Sequence, residues 1–300
     1  MKILMAYDGS KEAAAAFKLL DKLPIPDKSQ VSIIHTVRNV SYNNPIIPET
    51  TFNEIIRYND HLKEQGEALI DSLLKEQTDC RFELNGLVKI GNAADAILEA
   101  SEDMNPDLLV VGSRGLNPIS SYLLGGISSK VLKYCKCPIL ISRESNHATQ
   151  KNSKLNVMLS YDTSKTSDEM CEYVSKLDLA RIAKLSLVSI LEPPPEIALV
   201  DTLASNWHSL KSDENFLKER LKSVTGPLIK KHPQLNIEQT VLPQDKSIPH
   251  SLMDFSELKK IDLICMGNKG KNAFERFLLG NVSLKVAEHS KSSVLIFKGK

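Results

Sequence analysis

Five short apolar runs recur in each half of the 300-residue chain, separated by polar stretches with helical patterning. They lie near residues 2–7, 31–37, 82–89, 108–112 and 138–142, and again near 155–161, 184–191, 236–242, 262–267 and 293–298. Apolar runs alternating with helical segments predict βαβ units and a parallel sheet buried on both faces. Between the runs, Ala13, Phe17 and Leu20, or Met170, Val174 and Leu177, fall at i, i+4 and i+7, so one face of each helix docks on the sheet. Right-handed crossovers then give an open, doubly wound α/β sheet with helices on both faces. Its ligand cleft lies beyond the strand carboxyl ends, where the strand order reverses.

The pattern is a repeat. Placing residues 107–142 over 262–297 needs no gap, and 14 of the 36 positions are identical, among them Asp107/Asp262, Gly112/Gly267, Gly115/Gly270, Gly125/Gly280 and Ser128/Ser283. The start of the chain recurs too, Tyr7-Asp8-Gly9-Ser10 being answered by Tyr161-Asp162-Thr163-Ser164. Two domains follow, residues 1–145 and 153–300, with the seam in the polar stretch between Glu144 and Leu155.

Composition narrows the function. Residues 1–150 hold 16 basic and 19 acidic side chains and the remainder 22 and 18, so neither half offers a nucleic-acid surface. No apolar run approaches the roughly 18 residues of a membrane span, and the N-terminal apolar stretch is too short for a signal peptide. Five scattered cysteines without a CxxC pair read as reduced thiols in a cytoplasmic protein. Cys135 and Cys137 read as packing at a helix end, with a redox pair as the alternative, and carry no assigned function.

Three features of each copy land at strand carboxyl ends. The first is the carboxylate after strand one, Asp8 or Asp162, which can accept from a ribose or base, or can cap the following helix; the cap is the favoured reading of the residue alone. The second is the loop after strand four, Gly112-Ser113-Arg114-Gly115 or Gly267-Asn268-Lys269-Gly270. Its glycines let successive NH groups face an anion, and Arg114 or Lys269 adds a positive charge. The third comes at equal spacing in both copies: Gly125-Gly126-Ile127-Ser128 and Gly280-Asn281-Val282-Ser283 each open a helix. A helix N-terminus leaves about four NH groups unpaired and suits phosphate.

The G-x2-G-x9-G spacing after a strand, the Asp-x-Ser after strand one and the closing run Cys137-Pro138-Ile139-Leu140-Ile141 resemble the universal stress protein family, in its tandem two-domain form. The resemblance implies two Rossmann-like (adenine nucleotide alpha hydrolase-like) domains of five strands each. It implies ATP or AMP as ligand, with or without Mg²⁺, held in one copy by Tyr7, Asp8, Val37, Gly112, Arg114, Gly115, Gly125, Gly126, Ile127 and Ser128. In the other copy the corresponding residues are Asp162, Gly267, Lys269, Gly270, Gly280, Asn281, Val282 and Ser283. It also implies pairing through the last strand of each sheet, between the two copies as an intramolecular pseudo-dimer or between chains as a homodimer. The chain departs from the family at one point of weight: where Ser or Thr usually follows the third glycine, this sequence has Gly126 and Asn281. The second copy further offers Pro243-Gln244-Asp245-Lys246 where the first has Gly91.

The seven histidines show no HExxH or HxH spacing, and His35 reads as a packing residue. GxxxxGK[ST] and GxSxG are absent, so no catalytic residue and no metal site is assigned. The divergent segments 41–51 and 192–212, the second holding Trp207, are expected to roof the clefts or to meet protein partners. The function expected is that of a nucleotide-binding stress-response regulator rather than an enzyme. The alternatives are an interaction module with decayed sites that binds partners or an apolar ligand, and a slow ATP hydrolase.

Overall fold

The computed structural model describes residues 1–39, 49–77, 80–115, 124–144, 154–193, 203–270 and 279–299, with backbone alone for 49 and 203–210. The chain divides into two compact units, residues 1–21 with 25–142, and residues 143–300 with 22–24.

In the first unit β1 (Lys2–Ala6), β2 (Gln30–Val37), β3 (Glu83–Ile90), β4 (Leu108–Gly112) and β5 (Ile139–Ser142) alternate with α1 (Lys11–Lys22), α2 (Glu49–Glu76), α3 (Ala93–Met104) and α4 (Gly126–Tyr134). In the second, β6 (Leu155–Ser160), β7 (Ile182–Leu191), β8 (Asn236–Pro243), β9 (Leu263–Gly267) and β10 (Ser293–Phe297) alternate with α5 (Lys165–Ser175), α6 (Leu203–Lys231), α7 (Ile248–Leu258) and α8 (Asn281–His289). Strand order is β3-β2-β1-β4-β5 in one unit and β8-β7-β6-β9-β10 in the other, all parallel. The order reverses beside β1 and β6, where the crevice of a doubly wound sheet opens.

The central strands are apolar on both faces because helices cover both. Leu4, Met5, Leu109 and Val110 are fully buried, as are Met158, Leu159 and Ile264. Each such side chain stabilises the fold by about 1.5–3 kcal/mol. Ala13, Phe17 and Leu20 of α1 are buried as the spacing predicts; Met170 and Val174 of α5 follow suit, but that helix stops at Ser175, before Leu177. The repeated aspartates have a structural explanation. Asp107 accepts from Lys2 N through Oδ2 at 2.8 Å and donates its own NH to Lys2 O; Asp262 does the same with Asn156, tying the start of β4 or β9 to that of β1 or β6.

The segments expected to roof the clefts fall mostly on 40–48 and 194–202, outside the described residues; residues 49–51 and 203–212 begin α2 and α6, and the Trp207 side chain is likewise outside the described set.

Candidate functional site

Each cleft begins where β1 or β6 ends. Asp8 Oδ1 accepts from Ser10 N at 3.0 Å, and Asp162 Oδ1 accepts from Ser164 N at 3.0 Å. The residue that caps the next helix is the serine: Ser10 Oγ accepts from Ala13 N at 3.1 Å and Ser164 Oγ from Ser167 N at 3.2 Å. The cap favoured for Asp8 and Asp162 is therefore corrected. Two residues beyond the aspartate, a hydroxyl reaches the helix amides directly, while the carboxylate folds into a tight turn through Gly9 (φ 78°) or Thr163 (φ 63°). Tyr7 and Tyr161 sit just before these turns. His35 Nδ1 pairs with Tyr7 O at 2.8 Å and Ser189 Oγ donates to Tyr161 O at 2.6 Å, so His35 takes the packing role expected of it. The second unit adds a network of its own: Tyr161 Oη donates to Asp168 Oδ1 at 2.6 Å and accepts from Arg220 Nη2 at 3.0 Å. Burial, then the neighbouring Asp168 carboxylate, push the Tyr161 hydroxyl's pKa well above its ordinary value.

The loop after strand four folds against the same carboxylate. A Cβ on Gly115 would lie 2.6 Å from Asp8 Oδ2, and one on Gly270 would lie 2.8 Å from Asp162 Oδ2. Gly112 and Gly267 admit the neighbouring helix, a Cβ at Gly267 standing 2.9 Å from Thr166 Cγ2. The third glycine returns to this loop: Gly125 N donates to Ser113 O at 2.8 Å and Gly280 N to Asn268 O at 2.6 Å. The two glycine elements of each copy thus meet at one place. Arg114 and Lys269 occupy these loops, half-buried.

Gly125 and Gly280 are the N-caps of α4 and α8, and neither helix has a side-chain cap. The first amides of each helix, from Gly126, Ile127 and Ser128 or from Asn281, Val282 and Ser283, are left for other acceptors. The hydroxyls of Ser128 and Ser283 are turned inward, to Gly112 O at 2.7 Å and to Gly280 O at 3.1 Å, so these two residues offer a ligand their main-chain NH alone. Among the described residues, a Cβ on Gly126 would meet nothing within 4 Å.

The second unit holds a cavity of about 610 Å³. Asp162, Lys269, Gly270 and the turn from Gly280 to Ser283 line one side; Ile190, Leu217, Ile248 and Met266 form an apolar wall, and Glu192 stands in the lining. In the first unit a cavity of about 590 Å³ is lined by Ile127 and by Arg38, Asn39, Gly91 and Asn92. Val37, the last residue of β2, is buried, and its carbonyl accepts from Gly91 N at 2.8 Å; Leu191 O accepts from Gln244 N at 2.9 Å in the same way. The loop lacking the Gly91 equivalent keeps that bond. Arg38 and Glu192 directly follow these equivalent residues; sequence reasoning missed Arg38, while Glu192 opens the segment expected to roof the second cleft, and the repeat alignment of strand two was the signal that could have paired them.

Among the described residues one cluster has metal-ligand chemistry, Asp245, His250 and Asp254, and the Lys246 ammonium lies 3.2 Å from His250 Nε2 within it.

Two doubly wound units, each with a glycine turn beside a carboxylate and a helix whose N-cap is glycine, define a tandem α/β protein. A family model described as the universal stress protein family matches residues 1–143 and 155–298, and the chain belongs to that family. A universal stress protein of Mycolicibacterium smegmatis is 23% identical over 302 residues, covering 99% of this chain and 96% of its own. The universal stress protein YxiE of Bacillus subtilis is 27% identical over 148 residues, covering 47% of this chain and 98% of its own. The crystal structure of a universal stress protein from Archaeoglobus fulgidus superposes with a TM-score of 0.63 at 19% identity, covering 99% of this chain and 98% of that one, a likeness of fold.

Proposed function

We propose that this protein binds an adenine nucleotide, ATP or AMP, in its clefts and acts as a nucleotide-sensing regulator of the stress response in the cytoplasm. The observation that carries the reading is the N-terminus of α8, without a side-chain cap, opening on a cavity of about 610 Å³ beside Lys269; α4 begins in the same way, but the first unit's cavity takes only Ile127 from it. Phosphate oxygens would accept from the amides of residues 126–128 or 281–283, where the helix dipole favours negative charge. The apolar wall of Ile190, Leu217 and Ile248 suits the face of a base, and Asp8 or Asp162 stands ready for a ribose or base donor. Among the described residues nothing within 4 Å of a Cβ on Gly126 stands against this group. Mg²⁺, where present, would arrive on the phosphates.

The reading is of a binding protein rather than a catalyst. Calorimetry on protein stripped of ligand by refolding tests it: heat of ATP or AMP uptake in the micromolar range is expected. Absence of heat and of any thermal shift at millimolar nucleotide rejects it.

A second reading, a nucleotide-independent module that takes an apolar ligand or a protein partner, is favoured by the apolar wall and by Gly126 and Asn281 standing where the family usually has Ser or Thr. Native mass spectrometry separates the two: co-purified nucleotide supports the first, and a co-purified lipophilic molecule supports the second.

A further inference from the structure

The thiols of Cys135 and Cys137 lie at the end of α4 opposite the cleft. Cys135 is the C-cap, its NH bonded to Val131 O at 2.8 Å, and its side chain is buried; Cys137, just before β5, is half-exposed. Their sulfurs are 3.3 Å apart. In the second unit the equivalent residues are Ser290 and Ser292, which form a different local arrangement: Ser292 N donates to Ser290 Oγ at 3.0 Å, and Ser292 Oγ donates to Ile261 O at 2.7 Å. The fold at this corner is met in one copy by two serines whose hydroxyls bond to main-chain groups and in the other by two sulfurs in contact. Of the other three cysteines, Cys171 and Cys265 are buried, burial pushing the Cys171 thiol up to about 12 and the Cys265 thiol up as well, and Cys80 is half-exposed.

We propose that Cys135 and Cys137 form a redox-active dithiol that is oxidised to an intramolecular disulfide by low-molecular-weight disulfides of the glutathione class. Exposure orders the steps. The Cys137 thiolate, its proton lost to water, attacks one sulfur of the small disulfide; that S–S bond breaks and one thiolate leaves. Cys135 then loses its proton and attacks the Cys137 sulfur, and the second small thiolate leaves. Two protein thiols become one disulfide, the small disulfide is reduced to two thiols, and the two protons end on them. Bond formation needs the sulfurs to close from 3.3 Å to about 2.05 Å, a movement within reach of side-chain rotation. A bridge between residues two apart closes a small, strained ring, and strained bridges are readily reduced, which makes this one reversible rather than structural.

The test uses the full chain with Cys80→Ser, to remove the other half-exposed thiol, folded in buffers of graded reduced and oxidised glutathione. Acid quenching, alkylation and intact-mass measurement follow. The expected result is loss of two hydrogen atoms per chain, mapped to the peptide holding Cys135 and Cys137, on a species that stays monomeric without reductant and regains its mass in dithiothreitol. In Cys135→Ser the same treatment leaves a stable glutathione adduct on Cys137. Accumulation of that adduct in protein with both cysteines present overturns the proposal, as does a pair that stays fully reduced under conditions that oxidise Cys80 in the parent chain. The mass measurement with both cysteines present decides the matter even if Cys135→Ser fails to fold.

Discussion

The Asp8 carboxylate fills the place a side chain on Gly115 would need: a Cβ there would stand 2.6 Å from Asp8 Oδ2, and Asp162 and Gly270 repeat the relationship at 2.8 Å. Each glycine is thus required by a carboxylate held in its own turn by the NH two residues on. Gly270→Ala must push Asp162 aside or open the loop carrying Lys269. It should weaken nucleotide binding about tenfold, roughly 1.4 kcal/mol. Adding Asp162→Ala should make the two effects less than additive, because the contact that transmits the first change is gone. Additive losses in calorimetry would show that the two residues act separately.

Gly126 is the position where the chain departs from its family and where the structure leaves room. Gly126→Ser places a hydroxyl at the start of α4, where a Cβ meets nothing within 4 Å among the described residues. One added hydrogen bond to a charged phosphate oxygen contributes about 1.5–3 kcal/mol. ATP should therefore bind roughly ten- to a hundredfold more tightly, with adenosine unchanged. Equal gains for ATP and adenosine would mean that the phosphates do not rest at this helix end.

Much of this arrangement was legible in the sequence, and the misses have physical causes. The inner strands came out within about two residues because strands buried on both faces are written as unbroken apolar runs. The glycine pairs were legible because backbone that must pass close to a carboxylate or a helix leaves a gap in the residue alphabet. Side-chain direction was not. Ser128 and Ser283 match in sequence, yet their hydroxyls turn to the main chain, a choice set by the geometry of the turn they close. The helical stretch expected between β7 and β8 runs through Gly226 and Pro227, which usually end a helix. Burial of Leu217, Leu221 and Leu228 holds it together through that pair. The Tyr161, Asp168 and Arg220 network was invisible because its members come from three elements and Ala14 stands at the position in the first copy that matches Asp168.

Arg38 and Glu192 invert the charge at equivalent places after strand two, each lining the cavity of its own unit. For a polyanionic ligand the first position is attractive and the second repulsive. At about 10 Å in a partly wet cleft, a unit charge is worth about 0.4–1.7 kcal/mol before salt screening. Glu192→Lys should raise ATP affinity in the second cleft by about three- to tenfold at low ionic strength and leave adenosine unaffected, and Arg38→Glu should lower it in the first. The gain should shrink as salt rises from 0.05 to roughly 0.5 M. A change that is insensitive to salt would point to altered packing in place of charge.

Glu238 on β8 holds Lys184 of β7 at 2.6 Å and Lys259, the residue after α7, at 3.1 Å, all three partly buried. The Lys184 ammonium, chiefly through its hydrogen bond, and then Lys259 hold the carboxyl below its ordinary value, against the opposing effect of burial. The folded pKa is the lower one, so as the pH falls the unfolded chain takes up the proton first. The contribution to stability is present above about pH 4.5, the unfolded value, and is lost as the pH falls through the folded value. Glu238→Gln should therefore cost about 1 kcal/mol at pH 7, and the difference from the parent chain should close steadily in acid. Urea unfolding of both proteins from pH 7 downward measures it. A gap that persists once the carboxyl is protonated would show that Glu238 acts by packing or by its neutral hydrogen bonds, with no part played by its charge.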